Sequence, residues 1–104
     1  MVTDDFKILE NIFAAINKGI LSRYDAFHYE VEVYEGHIST ELSVEQNGVS
    51  TTDAPTNMDD TLLYNLVDKL KTGARNRGDN WTSFTLSYTQ GGQLKTQFKY
   101  PGDQ

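Results

Sequence analysis

The sequence has no cysteine. That excludes a disulfide framework, a thiolate metal centre and a cysteine nucleophile. It fits a reducing compartment, and the chain is expected to be cytoplasmic. No apolar run approaches the roughly 20 residues that span a bilayer, so no membrane association is expected. Met1-Val2-Thr3-Asp4-Asp5 lacks the basic start and apolar stretch of a secretory signal. Positive charge is scarce as well: 9 Lys and Arg stand against 15 Asp and Glu, a formal net charge of -6. Non-specific nucleic-acid binding works by neutralising phosphates with Lys and Arg, so direct binding of nucleic acid is not expected. From Tyr24 to Asp68 there is no Lys or Arg at all, against ten acids. From Lys69 to Lys99 six basic residues accompany one acid, Asp79. An acidic middle of this kind attracts a basic partner, although it also serves solubility.

What remains is enough for one fold. The 104 residues are 38% hydrophobic and 12% aromatic. That predicts a single ordered domain, 1-104, with one modest core, and leaves no room for a two-domain enzyme with a cleft between its halves. No repeat or low-complexity tract interrupts it. From about Asp4 to Leu21, the residues Phe6, Leu9, Ile12, Phe13, Ile16 and Ile20 recur at three- and four-residue steps, one apolar face of a helix. Thr3 is its expected N-cap, and Gly19 weakens its last turn. Phe27, Tyr29, Val31 and Val33 then alternate with His28, Glu30, Glu32 and Tyr34, a half-buried strand. After the Glu35-Gly36 turn, Ile38, Thr40, Leu42 and Val44 alternate with Ser39, Glu41, Ser43 and Glu45, completing an antiparallel hairpin that ends at Asn47-Gly48. Val49 to Asn57 reads as a surface loop with room for a short extended piece. A second helix is expected from about Met58 to Arg75, burying Leu62, Leu63, Leu66, Val67 and Leu70. Asn57 or Thr56 would cap it, with Asp59 and Asp60 in its first turn. Thr82, Phe84, Leu86 and Tyr88, then Leu94, Thr96, Phe98 and Tyr100, give two more alternating strands around Gln90-Gly91-Gly92. The expected fold is α+β, ordered α-β-β-α-β-β, with an antiparallel sheet of about four strands and two helices packed on one face.

Catalytic signals are weak. His28 and His37 are the two histidines. His28 falls on the polar face beside Glu30 and Glu32, where a His-Glu pair could exchange protons. No nucleophile elbow and no lysine within an apolar run accompanies it. No helical His or Glu-x-x-His ligand spacing and no calcium loop occurs, so neither a metal nor another cofactor is expected. Gly91-Gly92 joins two strands and does not open a helix, which removes a phosphate loop. Trp81 offers a stacking platform for a base if it faces out beside Lys95 and Lys99, or a core ring if it faces in. The outer face of the first hairpin collects Glu30, Glu32, Glu41 and Glu45 around Tyr34. Like charges on neighbouring strands repel. The face is therefore either a solvated surface whose glutamates pair with Lys95 and Lys99, or an acidic docking surface anchored by Tyr34 and extended by Asp53, Asp59 and Asp60.

The Tyr/Glu-rich hairpin, the Leu-rich second helix, Trp81-Thr82-Ser83-Phe84-Thr85-Leu86 and Gly92-Gln93-Leu94-Lys95-Thr96-Gln97-Phe98-Lys99-Tyr100 together resemble the YezG-like immunity proteins. In that family a tryptophan opens a strand, a short glycine turn follows, and the next strand ends in Phe-x-Tyr. The immunity proteins of contact-dependent growth inhibition are a related class. The resemblance implies a cytoplasmic antitoxin without catalytic residues, which binds a cognate toxin domain stoichiometrically and covers its active site or substrate groove. A nuclease is the expected target, because its groove must be basic to hold polyphosphate. Glu30, Glu32, Tyr34, Glu41, Glu45, Asp53, Asp59 and Asp60 are the expected toxin-binding residues. The alternative is a small protein-binding adaptor or effector chaperone without catalytic activity. A third reading is a small hydrolase or ligand-binding domain built on His28. The sequence does not specify an oligomeric state.

Overall fold

A computed structural model describes residues 3–102. The chain is α+β, with two helices and a five-stranded antiparallel sheet in the order α-β-β-β-α-β-β. It forms two compact units, one from the segment ending at Leu21 together with Thr56–Asn80, the other from Ser22–Pro55 and the segment starting at Trp81.

The first unit is helical. Helix α1 spans Thr3–Gly19 and packs on α2, Asp60–Asn76. Leu9, Ile12, Ile16 and Ile20 form the buried stripe of the first segment. Phe6, expected on that stripe, is instead 54% exposed, and Asp5 occupies the line with only 5% exposure. Asp5, Leu9, Ile12 and Ile16 follow each other at steps of four, three and four, whereas Phe6 is turned about 100° away. Burying a carboxylate is costly unless it is paired. The pairing comes from Arg77, whose Nη2 donates to Asp5 Oδ2 at 2.5 Å and whose Nη1 donates to Oδ1 at 3.3 Å. The expected Thr3 cap rests on a side chain outside those described.

The expected start of α2 is also corrected. Thr56 bridges Ile20, and the Asn57 N–H donates to the Gly19 carbonyl at 2.6 Å, so these two residues run extended past the end of α1 and cannot cap a helix. The cap is Asp59, whose side chain accepts from the Leu62 N–H at 3.0 Å. Gly19 is needed where this segment crosses: a Cβ there would lie 2.4 Å from Met58 Cγ. Leu63, Leu66, Val67, Leu70 and Ala74 are buried on α2, while Leu62, expected among them, is 45% exposed. The helix closes in a Schellman motif. Gly78 takes φ 76°, its N–H reaches the Arg75 carbonyl at 3.0 Å, and the Asp79 N–H reaches that of Ala74 at 2.8 Å.

The second unit is the sheet. Its strands are β1 Ala26–Tyr34, β2 His37–Gln46, β3 Val49–Thr51, β4 Ser83–Thr89 and β5 Lys95–Lys99. They lie in the order β3-β2-β1-β4-β5, each antiparallel to its neighbours. The fifth strand beyond the expected four is β3. It folds back because Asn47 (φ 55°) and Gly48 (φ 78°) both adopt the left-handed conformation of a two-residue hairpin turn. One sheet face carries the core: Phe27, Tyr29, Val31, Val44, Phe84 and Leu86 are buried on it. Trp81 joins this core at 1% exposure, edge-on to Phe84 with ring centroids 5.5 Å apart and 5.3 Å from Phe98. It therefore offers no platform for a base. Asp25 ties the two hairpins together at one end. Its carboxylate accepts from the Asn47 N–H at 2.7 Å, its carbonyl accepts from Gln90 N–H at 2.8 Å, and its own N–H donates to the Glu45 carbonyl at 2.8 Å.

Candidate functional site

The other face of the sheet holds the sequence-predicted hairpin residues. Strand alternation puts His28, Glu30, Glu32 and Tyr34 on it from β1, and His37, Ser39, Glu41, Ser43 and Glu45 from β2. The tight turn sets the register. Tyr34 lies opposite His37, Glu32 opposite Ser39, Glu30 opposite Glu41, and His28 opposite Ser43. Two carboxylates thus face each other directly in the middle of the hairpin, an arrangement that costs stability unless something neutralises it. On the other side of β1, the same rows continue into β4 with hydroxyls: Ser83 opposite Glu32, Thr85 opposite Glu30, and Ser87 opposite His28. The cations come one strand later, with Lys99 opposite Ser83 and Lys95 opposite Ser87.

This order decides one of the two readings of the glutamates. With strands about 4.8 Å apart, β5 lies roughly 10 Å from β1, with a strip of serine and threonine between. Glu30, Glu41 and Glu45 form no ion pair with Lys95 or Lys99, whereas Arg77 pairs with Asp5 and with Asp79. The expected cross-sheet pairing of glutamate with lysine is therefore absent. Glu30, Glu32 and Glu41 are exposed, and Glu45 is half-buried.

Tyr34 is 47% exposed at the turn end of the hairpin. Its ring stacks on the His37 imidazole, with centroids 4.7 Å apart and planes inclined by 20°. Its hydroxyl donates a hydrogen bond to the Glu32 carboxylate. That bond, then the nearby negative charge, raises the phenol above its ordinary value near 10. The result is a flat aromatic pair held at one edge by the Glu32 carboxylate. His28, weighed with Glu30 and Glu32 for acid-base chemistry, has its Nδ1 2.9 Å from Ser87 Oγ.

The remaining predicted residues have mixed roles. Asp53 follows β3, where its backbone N–H donates to Thr51 Oγ1 at 3.0 Å. Asp59 caps α2 and Asp60 is the first residue of that helix, so both carboxylates face the positive end of its dipole. Both belong to the helical unit, whereas the glutamates belong to the sheet. Sequence reasoning missed Ser87, because its partnership with His28 depends on β1 and β4 being neighbours. It also missed the use of Asp25 as a tie and of Arg77 as the partner of a buried acid.

Among the described residues, no group of three or more His, Asp or Glu side chains could hold a metal ion, and no helix is long and apolar enough to cross a membrane. No family model matches the chain, and no curated protein matches it.

Proposed function

We propose that this protein is an immunity protein, which binds a cognate toxin domain stoichiometrically and neutralises it through the outer face of the β1–β2 hairpin. The observation that carries the reading is the unneutralised register of that hairpin: Glu30 opposite Glu41, with Glu32 and Glu45 on the same face and no cation paired to any of them. A surface that keeps like charges together at a cost in stability gains if a basic partner covers it. The Tyr34–His37 stack supplies an aromatic anchor of the kind that concentrates binding energy. A nuclease toxin supplies the matching basic groove, and opposite fields speed association. The sequence resemblance to YezG-like immunity proteins supports the same class.

The test has two arms. Tagged protein is used to recover its retained partner from native lysate at moderate salt, alongside a Glu30→Lys/Glu41→Lys variant shown to be folded by circular dichroism. The expected result is one basic domain at stoichiometry, encoded beside this chain, lost by the variant and inhibited as a nuclease by the wild type. Equal retention by the variant removes the hairpin face as the binding surface. Retention of a domain with no toxic activity favours the adaptor or effector-chaperone reading.

A further inference from the structure

The basic half of the sheet face poses a different question. An open hollow of about 620 Å³ lies over β4 and β5, lined by Thr85, Ser87, Lys95, Thr96, Gln97 and Lys99. Its lining holds no carboxylate. In a chain of net charge -6, two lysines stand here without an acidic partner, since neither forms an ion pair and their cross-strand neighbours are Ser87 and Ser83. Lys95 and Lys99 share the face four residues apart, about 13 Å along the strand, with Gln97 between them and Thr85 opposite Gln97. Both side chains are long enough to converge on a ligand seated between them. The hollow therefore presents two positive point charges, hydroxyl donors from Thr85 and Ser87, and one amide, whereas Thr96, opposite Leu86, turns its side chain to the core face.

We propose that this hollow binds a small ligand through its phosphate groups. The donor set decides the chemistry. An arginine fork holds carboxylate and phosphate alike in a fixed plane; this hollow has no arginine and offers two lysines, which bind phosphate as point charges without a fixed plane. Lysine ammoniums and hydroxyls approach from several directions, which suits the oxygens of a tetrahedral phosphate. The spacing of the lysines favours two or more linked phosphates over one. No aromatic ring lines the hollow, so a nucleobase finds no platform there, and recognition rests on the phosphates. His28 positions one of the donors. When its Nδ1 carries the hydrogen, Ser87 Oγ accepts from it, and the Ser87 O–H is released towards the Lys95 side. The lining lies on β4 and β5, apart from the glutamates of β1 and β2, with His28 of β1 reaching it only through Ser87, and the proposal does not depend on the immunity reading.

The experiment is a titration of the full chain with inorganic tripolyphosphate at low ionic strength. It is read by amide chemical shifts and by calorimetry, with citrate as a carboxylate control of similar charge. The expected result is saturable binding, with shifts centred on Thr85, Ser87, Lys95, Gln97 and Lys99. A Lys95→Gln/Lys99→Gln variant should bind at least 10-fold more weakly, and Ser87→Ala 2- to 5-fold more weakly. The altered lysine side chains are exposed and unpaired, so the double variant should keep its fold, which the same spectra check. Citrate should bind at least 5-fold more weakly than tripolyphosphate. Non-saturable shifts, equal binding by the double variant, equal binding of citrate, or shifts centred on another cationic surface would each overturn the proposal.

Discussion

In the helical unit, the buried carboxylate of Asp5 is held by two hydrogen bonds from Arg77, and the Asp59 carboxylate closes the first turn of α2. In the sheet unit, Glu30 faces Glu41 across β1 and β2, while Lys95 and Lys99 stand on the far side of a strip of hydroxyls with no carboxylate to meet. The same residue types are used for structure in one unit and left available in the other. Ion pairing is cheap to arrange on a sheet: exchanging one glutamate and one lysine between adjacent rows would do it. Segregation by sign across β4 keeps two opposite fields on one face, and a field of one sign is what a partner or ligand of the other sign responds to. The lesson concerns where to look for function in a small chain, because unpaired charge in a defined register says more than charge itself.

The sharpest way to break this comparison is to remove Arg77. Arg77→Met leaves Asp5 buried without its cation. A fully enclosed pair broken in this way costs about 3–5 kcal/mol, and the Arg77 side chain is 32% exposed, so a loss of about 2–3 kcal/mol in urea unfolding is expected. Asp5→Leu combined with Arg77→Met should recover most of it, since two apolar groups of similar reach replace the pair. A loss below about 0.5 kcal/mol for the single variant would put Asp5 with the free charges of the sheet and erase the contrast. The next effect is that of the cap. Asp59→Ala should cost about 1 kcal/mol, because the Leu62 N–H loses its acceptor. Asp53→Ala should change stability by less than about 0.5 kcal/mol, as its carboxylate accepts no hydrogen bond in the structure.

The sheet gives the opposite sign. Glu41→Gln relieves the repulsion with Glu30, and a gain of about 0.2–1 kcal/mol is expected, read as a higher urea midpoint with unchanged slope. The gain should shrink as salt is raised, because both groups are exposed and screened. If the proposed function holds, the same substitution weakens toxin binding, so stability and function move in opposite directions at one residue. A destabilising Glu41→Gln would mean that this carboxylate has a structural partner after all, and the two units would then treat charge alike.

Much of this arrangement is legible in the sequence, and the parts that are not have identifiable reasons. Period-two alternation is enough to assign Glu30, Glu32, Glu41 and Glu45 to one face, and the two-residue turn at Glu35-Gly36 fixes which of them meet. Adjacency of β1 and β4 joins strands 50 or more residues apart, and no local pattern encodes it. The separation of the glutamates from Lys95 and Lys99, and the meeting of His28 with Ser87, both follow from that one pairing. Strand β3 escaped for another reason: Val49, Ser50 and Thr51 are all exposed, so no alternation marks them. The signal present was Asn47-Gly48, a strong hairpin-turn pair that reads equally as the end of a strand. On α1, Phe6 and Asp5 compete for one line, and hydropathy favours Phe6; only the cation 72 residues away at Arg77 makes Asp5 the buried one.

The smallest expected effect concerns Tyr34, and it sharpens the comparison at the level of a single proton. Its phenol is raised because its proton is shared with the Glu32 carboxylate and because ionisation would place two negative charges side by side. Tyr24 is also raised, but first by burial and then by Tyr88, so the two tyrosines shift for different causes. For Tyr34 the folded state holds the proton more tightly than the unfolded chain. Its contribution to stability is therefore complete below the ordinary value near 10 and is lost as pH rises from there through the folded value. Glu32→Gln should bring the Tyr34 titration back towards 10 while leaving that of Tyr24 in place, followed by carbon-13 shifts of the tyrosine ring carbon bearing the hydroxyl. Movement of both would mean that a general field raises them. Movement of neither would mean that the Tyr34–Glu32 bond does not hold the ring, and the aromatic anchor proposed for the partner would lose the contact that fixes it against His37.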